Sequence, residues 1–468
     1  MSKLNGDVLY LILNELRDDK RALHSCLSVN KFWCEIIVPI LWKNPWKHLK
    51  NGERKNMKLL LDVIILHLSK NSRDDLTQHY NINPYKRPLF DYVSFCRHLN
   101  FTLIKIMINN FIYEKTKIPI IENEILDLFI NNSTNFTHLY IPRKFDYQAS
   151  LIPGIESCFS ELKFLSCSTN IKDDVIIGLT ELCESVNELE LFIGMHNNNI
   201  GIIKLIETSK RLFGVRFIYS EIDEPFCKAL ESSLILHSNS IQYFKMTKQP
   251  TTEFLSSLVN LKTLELDDSR YRSWKCLGNV SLPYLQSLKT SRVPINVLIK
   301  LIENTNGYLT EIKIDRVRHD ANNNKKIIKA IYQNCPMLKY LKLLFINSNL
   351  LELENLLIYC QYLKGLYIIF EDAWVNYFTI DWNHLFKILT ESSPIGLFKF
   401  KFYCFCIPRL EALKLFFDNW KGKHPMLLQT TPLSNSCYDL IEKYKVEGVI
   451  KKFSCSLHDL KDDDFEWN

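Results

Sequence analysis

The chain has 468 residues, of which 47% are apolar and 24% are charged, so its composition is that of a globular protein and not of a disordered chain. Its 58 Lys and Arg residues exceed its 52 Asp and Glu residues by a net +6, which is a weak signal for nucleic-acid binding. None of its 13 glycines stands in a G-x-G pair, which excludes the glycine-rich phosphate loops of nucleotide sites.

The cysteine spacing and the N-terminus indicate the compartment. None of the 14 cysteines belongs to a C-x-x-C motif, which argues against zinc knuckles and thioredoxin-type sites. Charged residues interrupt every apolar run near the N-terminus, so the sequence predicts neither a signal peptide nor a membrane span. We therefore expect a cytoplasmic or nuclear protein with reduced thiols, no metal, no cofactor and no membrane contact.

The first fifty residues are rich in apolar side chains at helical spacing. A helix is predicted over residues 4–16, with Asn5 as its N-cap and Asp7 in its first turn, where a carboxylate favours the positive helix end. This helix is apolar nearly all round, and a second apolar run with helical spacing starts at Leu23. So short a segment cannot bury this much apolar surface by itself, which predicts a partner surface.

Two motifs in this segment resemble an F-box. They read Leu4-x-x-Asp7-Val8-Leu9-x-x-Ile12 and Leu23-x-x-Cys26-Leu27-x-Val29-Asn30-Lys31-x-Trp33-Cys34. The resemblance covers residues 3–46, with Asn5 where the family normally has proline, and it implies a helical module over residues 1–50 that binds a Skp-type adaptor and through it a cullin. The adaptor-binding residues that it implies are apolar: Leu4, Val8, Leu9, Ile12, Leu16, Leu23, Leu27, Val29, Phe32 and Trp33. The alternative is that the segment is only a helical cap for the rest of the chain.

Residues 51–121 connect this module to the body of the chain. Apolar spacing predicts helical segments over Met57–Leu68, Leu89–Phe101 and Leu103–Phe111. The sequence leaves two interpretations open: a helical linker, or atypical first repeats.

The body of the chain carries a degenerate L-x-x-L-x-L pattern at intervals of about 26 residues. A helical run precedes most occurrences, and helix followed by strand in repetition predicts a parallel sheet. The fourth and sixth residues of each strand, such as Leu264 and Leu266, are predicted to point inward, and the third and fifth outward. The pattern begins at Phe136, Leu162, Val186, Leu212, Ile241, Leu261, Leu285, Leu309, Leu338, Leu363 and Leu397.

The string Asn334-Cys335-Pro336-Met337-Leu338 resembles the cysteine-containing leucine-rich repeats of many F-box proteins. Cys183, Cys335 and Cys360 each stand three residues before the first apolar residue of a strand, so buried structural thiols are expected there. We predict an α/β protein in which the helical module precedes an irregular solenoid over residues 122–425, with parallel strands on its concave face and helices outside. Residues 426–468 are expected to form a C-terminal cap and an acidic tail.

The sequence contains no local signature of catalysis, so a non-catalytic protein is expected. Solenoids bind partners through their concave face, where the fifth strand residues form a mainly basic ladder. We interpret its cations as candidate substrate contacts for an acidic or phosphorylated partner, although a solvated face is the simpler alternative. These cations are Arg216, Lys245, Lys289, Lys313, Lys342 and Lys401.

The F-box resemblance implies a function in protein degradation. In that interpretation the chain is a substrate receptor of an SCF (cullin-RING) ubiquitin ligase, which holds an unknown protein substrate near the ligase and forms no covalent bond itself. The alternative is a leucine-rich interaction scaffold outside any ligase, which binds an acidic partner or, less in keeping with the charge, nucleic acid.

Overall fold

The computed structural model consists of two compact units, which divide between Ser233 and Leu234. The structure describes residues 5–17, 19–49, 54–77, 87–130, 134–143, 145, 155–182, 184–194, 198–220, 223–268, 274–370, 380–404 and 408–455.

The first unit begins with three short helices that form a module with its own core. The predicted N-cap is confirmed, because the Asn5 side chain accepts a hydrogen bond from the Asp7 amide. Asn30 caps the third helix in the same way through the Trp33 amide at 3.0 Å. The helices are α1 (Gly6–Glu15), α2 (Lys20–Leu27) and α3 (Lys31–Trp42). Their fully buried core residues are Leu9, Leu13, Leu23 and Ile37.

The rest of the first unit alternates helices with parallel strands. The strands pair in chain order, each with the next. They are β1 (His98–Asn100), β2 (His138–Tyr140), β3 (Phe164–Ser168), β4 (Glu188–Ile193) and β5 (Gly214–Tyr219). The helices are α4 (Arg54–Ile65), α5 (Lys70–Thr77), α6 (Phe101–Phe111), α7 (Ile118–Phe129), α8 (Ile155–Phe159), α9 (Asp173–Leu182), α10 (Gly201–Thr208) and α11 (Glu224–Leu234).

The second unit continues this alternation, and its strands also pair in parallel and in chain order. They are β6 (Tyr243–Met246), β7 (Thr263–Asp267), β8 (Ser287–Ser291), β9 (Glu311–Asp315), β10 (Tyr340–Phe345), β11 (Gly365–Phe370), β12 (Lys399–Tyr403), β13 (Met426–Thr430) and β14 (Ile450–Cys455). The helices are α12 (Ile295–Glu303), α13 (Ala321–Asn334), α14 (Leu350–Tyr359), α15 (Trp382–Ser392), α16 (Leu410–Trp420) and α17 (Asn435–Val446). Short 3-10 turns at Phe254–Ser257 and Lys275–Asn279 follow β6 and β7.

The core of both units consists of the inward strand residues and the facing sides of the helices. Leu264 and Leu266 of β7 are 0% and 2% exposed, as their positions in the pattern predicted. The register confirms the pattern, because leucine lies beside leucine where Leu264 pairs with Leu288. The L-x-x-L-x-L pattern therefore predicted correctly the parallel pairing of β7 and β8 and the inward face of their leucines.

Residues 51–121 contain a strand as well as helices. Arg54–Ile65 and Phe101–Phe111 are helical where helices were predicted, but the predicted helix Leu89–Phe101 is wrong. A 3-10 turn at Val93–Phe95 and β1 occupy that segment, because Leu99 is an inward residue of a strand that pairs with β2. A strand of the sheet therefore precedes the first L-x-x-L-x-L occurrence.

Sheet pairing also continues beyond residue 425. β13 pairs with β12, and β14 pairs with β13 after a register shift between Met426 and Leu427. The predicted last helix near Cys437–Tyr444 and strand near Val449–Phe453 are present as α17 and β14. The acidic tail after Cys455 lies outside the described residues. Within the described chain, no helix has both the length and the apolar character needed to cross a membrane.

Candidate interaction surfaces

The N-terminal module exposes a continuous apolar strip on α1. Val8, Leu11 and Ile12 share one side of this helix and are 45%, 62% and 48% exposed. Phe32 of α3 is also exposed, but it lies against Gly6, on the other side of α1 from this strip. Large apolar side chains grouped as they are in the strip are unusual on a free surface and mark an interaction site. We call Val8, Leu11 and Ile12 the module face.

The adaptor-binding residues expected from the sequence fall into three groups. Val8 and Ile12 are exposed on the module face, and Val29 and Phe32 are exposed elsewhere on the module. Leu9 and Leu23 are buried in the module core and are not available to a partner. Leu16, Leu27 and Trp33 are half-buried and pack against that core, and Leu4 lies outside the described residues. The exposed Leu11 was not among the expected residues. Because α1 is apolar nearly all round, helical spacing does not show which of its sides is covered.

The module is joined closely to the first strand of its unit. The Arg97 amide donates to the Lys43 carbonyl at 3.0 Å, and the Trp46 indole donates to the His98 carbonyl. The Trp42 ring packs on Tyr92 with centroids 4.7 Å apart. These contacts hold the module face in a fixed position relative to β1.

The predicted ladder is present residue by residue on the outward side of the strands. In the first unit Tyr140, Ser166, Glu190 and Arg216 are consecutive register partners. In the second unit the residues at the corresponding position are also consecutive register partners: Lys245, Glu265, Lys289, Lys313, Lys342, Tyr367, Lys401, Gln429 and Ser454.

Carboxylates compensate the ladder cations over β6–β9. Glu265 lies between Lys245 and Lys289, at 3.3 Å and 3.7 Å from their amines. Glu311 lies 3.0 Å from Lys313 and 3.9 Å from Lys289, so the charges alternate across four strands. The Ser287 hydroxyl and these lysines lower the pKa of Glu311 despite the burial that acts to raise it. Arg216 of the first unit is likewise 3.1 Å from Glu188.

The ladder residues of β10–β12 have a different environment. Lys342, Tyr367 and Lys401 are 2–3% exposed. The Tyr367 ring lies between the two amines, 4.9 Å from the Lys342 Nζ and 5.9 Å from the Lys401 Nζ. Lys342 also lies 3.3 Å from Asp315. The Tyr367 ring therefore packs against both lysines.

Histidines lie in register on β1 and β2, next to the N-terminal module. The His98 and His138 rings stack with centroids 3.7 Å apart, and His138 in turn stacks on Phe164. Burial, the His138 ring and Lys43 and Lys47 lower the pKa of His98 to about 3. Burial also lowers the pKa of His138, so both rings are neutral near pH 7.

The cysteines before the strands are structural. Cys335 and Cys360 are both 0% exposed, and the Cys360 thiol donates to the Cys335 carbonyl at 3.7 Å. Burial raises the pKa of Cys360 to about 12, and that of Cys335 is also raised, so neither is a thiolate near neutral pH. Cys183 lies outside the described residues. In the described part of the chain, no three His, Cys, Asp or Glu side chains are grouped to hold a metal ion.

The sequence analysis missed an exposed row of residues near the N-terminal ends of strands β8–β11. Tyr284, Tyr308, Met337 and Tyr362 each stand directly before the first leucine of consecutive repeats and are 41–56% exposed. Tyr284 and Tyr308 lie with ring centroids 6.2 Å apart. Reading the residue before each repeat leucine as a separate column would have revealed the row.

Comparison with solved structures finds chains of similar fold. The chain is similar to the leucine-rich-repeat-containing protein LegL7 from Legionella pneumophila, with 14% identity and a TM-score of 0.36 over 56% of this chain and 89% of that chain. No protein-family model and no curated protein matches the sequence. The repeat arrangement is evident in this chain itself. Its strands are parallel and in chain order, and helices or 3-10 turns join them at leucine-rich-repeat spacing.

Proposed function

We propose that this protein is a non-catalytic substrate receptor of an SCF ubiquitin ligase. Its module face would bind a Skp-type adaptor and thereby a cullin, and the outward strand face would hold a protein substrate. The module face carries the proposal, because it is a group of exposed apolar side chains on a separately cored module that also bears the F-box-like motifs.

The close contact between module and first strand supports a positional role. A receptor raises the local concentration of its substrate near the transfer site, and this effect requires a defined geometry between its two binding surfaces. The Arg97 to Lys43 and Trp46 to His98 hydrogen bonds provide that geometry at the module's end of the chain. Among the predicted substrate contacts, Arg216, Lys245 and Lys289 are half-buried and stay in the proposal, whereas Lys313, Lys342 and Lys401 are 2–4% exposed and offer a partner little surface.

The test is co-expression with a Skp-type adaptor followed by size-exclusion chromatography. We expect a stable one-to-one complex with the wild type. Ile12→Asp is expected to abolish it, since the change places an unpaired charge in a desolvated contact without entering the module core. Leu9→Asp would be uninformative because Leu9 belongs to that core.

Leu351→Asp is the matched control, since Leu351 is an exposed helical leucine far along the sequence in α14. It should leave the complex intact. Unchanged adaptor binding by Ile12→Asp would contradict the proposal and favour the second candidate, a leucine-rich interaction scaffold outside any ligase, for which the register-matched ladder is the supporting observation.

A further inference from the structure

From the exposed row of residues before strands β8–β11 we infer a docking site for an acidic, proline-rich segment of a partner protein, bound as a polyproline II helix. We call Tyr284, Tyr308, Met337 and Tyr362 the edge row. It is separate from the module face and from the fifth-position ladder, so this site does not depend on the ligase role.

Large apolar side chains are concentrated at this edge. The members of the edge row are 52%, 51%, 41% and 56% exposed in chain order. Tyr359, at the end of α14 and three residues before Tyr362, is 60% exposed, and its ring stacks on Tyr332 of α13 with centroids 5.4 Å apart. Exposed rings grouped in this way mark a protein-binding surface, in which tyrosine is enriched.

The backbone fixes the spacing of the edge row. Each member is followed directly by a leucine that is 0% exposed, so the core anchors the chain at that point. The residues after these leucines are linked in series, because the amides of Thr310, Lys339 and Lys364 donate to the carbonyls of Gln286, Thr310 and Lys339, each at 2.8 Å. The backbones of adjacent members are therefore one strand spacing apart, or about 4.8 Å.

This spacing matches a polyproline II helix. Three residues of such a helix complete one turn and rise about 9.3 Å. Tyr308 and Tyr362 are two strand spacings apart, or about 9.6 Å, so each ring can pack on one proline of a P-x-x-P segment. An α-helix, with a pitch of about 5.4 Å, and a β-strand, with a same-face repeat of about 6.6 Å, would each lose register with the row.

The chemistry of tyrosine suits the same ligand. A polyproline II helix has no internal hydrogen bonds, so its carbonyl groups accept from a binding partner. An exposed tyrosine offers both a ring face to a proline and a hydroxyl that donates to such a carbonyl. Domains that bind proline-rich segments use aromatic surfaces of this kind.

The lysines beside the edge row determine the charge of the ligand. Lys339 and Lys364 stand two residues after Met337 and Tyr362, and their backbones are neighbours in the sheet. Lys364 is exposed and Lys339 is half-buried, while Glu311 of the adjacent strand lies 3.0 Å from Lys313. Acidic residues beside the prolines are therefore attracted to this end of the row.

Nucleic acid also combines negative charge with rings, but it fits this edge less well. The column that contains Lys339 and Lys364 holds the neutral residues Thr310 and Gln286 on the two preceding strands. A nucleic-acid backbone carries a phosphate at every nucleotide and requires a continuous basic groove. The alternation of neutral and basic positions favours a peptide with a few carboxylates.

The experiment uses the full chain and a fluorescein-labelled peptide of four Pro-Pro-Glu repeats. Fluorescence anisotropy is expected to show saturable binding. A peptide of four Gly-Gly-Glu repeats carries the same charge without the preformed helix or the prolines, so it should bind at least about tenfold more weakly. A Pro-Pro-Lys peptide should also bind more weakly, because its charge is repelled by Lys339 and Lys364.

Substitutions in the edge row test the site itself. Tyr308→Ser and Tyr362→Ser should each weaken binding of the Pro-Pro-Glu peptide about tenfold, since each removes one ring that packs on a proline. Lys364→Gln should weaken it about threefold, because an exposed charge pair contributes less. All three side chains are exposed, so the core stays intact.

The matched controls are Tyr113→Ser and Lys204→Gln, which change an exposed tyrosine and an exposed lysine of the first unit. Both should bind the peptide within about twofold of the wild type, because surface changes away from a site have small effects. Ile12→Asp, which is expected to remove adaptor binding, should likewise leave peptide binding unchanged. Circular dichroism checks that every variant is folded.

Several results would overturn the inference. They are no saturable binding of the Pro-Pro-Glu peptide, equal binding of the Gly-Gly-Glu peptide, equal losses in Tyr308→Ser and Tyr113→Ser, or displacement of the peptide by an equimolar oligothymidine. Adaptor binding measured on the same variants separates the two proposals. Peptide binding without adaptor binding keeps the docking site and removes the ligase role, and adaptor binding without peptide binding does the reverse.

Discussion

Lysines at the fifth strand position have two different environments in this protein. Lys313 lies 3.0 Å from Glu311, so its charge is balanced by the sheet itself. Lys401, two strands beyond Lys342, is equally buried but lies beside the Tyr367 ring. The same residue type in the same column is therefore paired with a carboxylate on β9 and packed against an aromatic ring on β12.

The histidine stack predicts how stability depends on pH. Since the pKa of His98 is lowered to about 3, its contribution to stability is complete above the unfolded value near 6.5 and is lost as the pH falls toward 3. After allowance for the partial exposure of the ring, we expect a loss of about 1 kcal/mol at pH 5 relative to pH 7. Urea unfolding at the two pH values measures it.

His98→Asn should reduce this acid sensitivity, because it removes the ring that resists protonation beside His138, Lys43 and Lys47. His24→Asn is the control, since His24 is exposed on α2. An unchanged pH dependence in His98→Asn would mean that other groups are responsible.

Buried asparagines connect neighbouring repeats at the element scale. Asn324 of α13 is 0% exposed, and its side chain donates to the Leu344 carbonyl at 2.7 Å and accepts from the Ile346 amide at 3.2 Å. Asn349 donates both to Asn324 and to the Ala321 carbonyl. These bonds join the start of α13 to the end of β10, where neither helix nor strand supplies the partners.

Asn324→Ala is therefore expected to destabilise the second unit by about 2–3 kcal/mol, because it leaves buried backbone groups at Leu344 and Ile346 unpaired. Asn322→Ala, in the same helical turn but exposed, should change stability by less than about 0.5 kcal/mol. Thermal unfolding of the two variants checks the difference. Equal effects would show that the side-chain bonds of Asn324 contribute nothing.

Most strands were predictable because the inward positions require apolar residues at a period of two. Leu264, Leu288 and Ile312 align in register for that reason. The pattern fails where one of its positions is polar: its sixth position falls on Thr430 in β13, and β13 was accordingly not recognised as a repeat strand. The burial of Asn324, and not of Asn322 or Asn323, was equally unpredictable. Helical spacing alone does not show which of the three side chains meets the Leu344 carbonyl.

The candidate surfaces were predictable only in part. The fifth-position column gave the ladder, but the third-position column contains Glu188 and Glu311, whose carboxylates lie beside Arg216 and Lys313. A single column cannot show whether a cation is compensated, because the partner belongs to another column or another strand. On α1 the apolar spacing likewise did not separate the core residue Leu9 from the exposed Ile12.

Repeat length governs the architecture of the whole molecule. Only 20 residues separate Tyr243 from its register partner Thr263, and a 3-10 turn at Phe254–Ser257 connects their strands. The longer connection from β9 to β10 contains the 14-residue helix α13. The connections between strands of the second unit thus change along the chain from short 3-10 turns to α-helices. The helices bury more apolar surface per repeat.

The aromatic core near the C-terminal end of the second unit is the consequence of those longer repeats. Phe400 is 0% exposed and lies 6.0 Å from Phe416 and 5.1 Å from Trp420, measured between ring centroids. Phe400→Ala is expected to cost about 3–5 kcal/mol, from lost burial and the cavity that remains.

Because each repeat contacts mainly its neighbours, the effect of Phe400→Ala should decline with distance along the unit. Hydrogen exchange by mass spectrometry should show faster exchange in α15, α16 and β12, with β7 and β8 unchanged. Leu415→Ala, an exposed position on α16, is the control and should change little. A uniform increase from β6 to β14 would instead mean that the second unit opens as one cooperative body, so that damage to one repeat is felt by all of them.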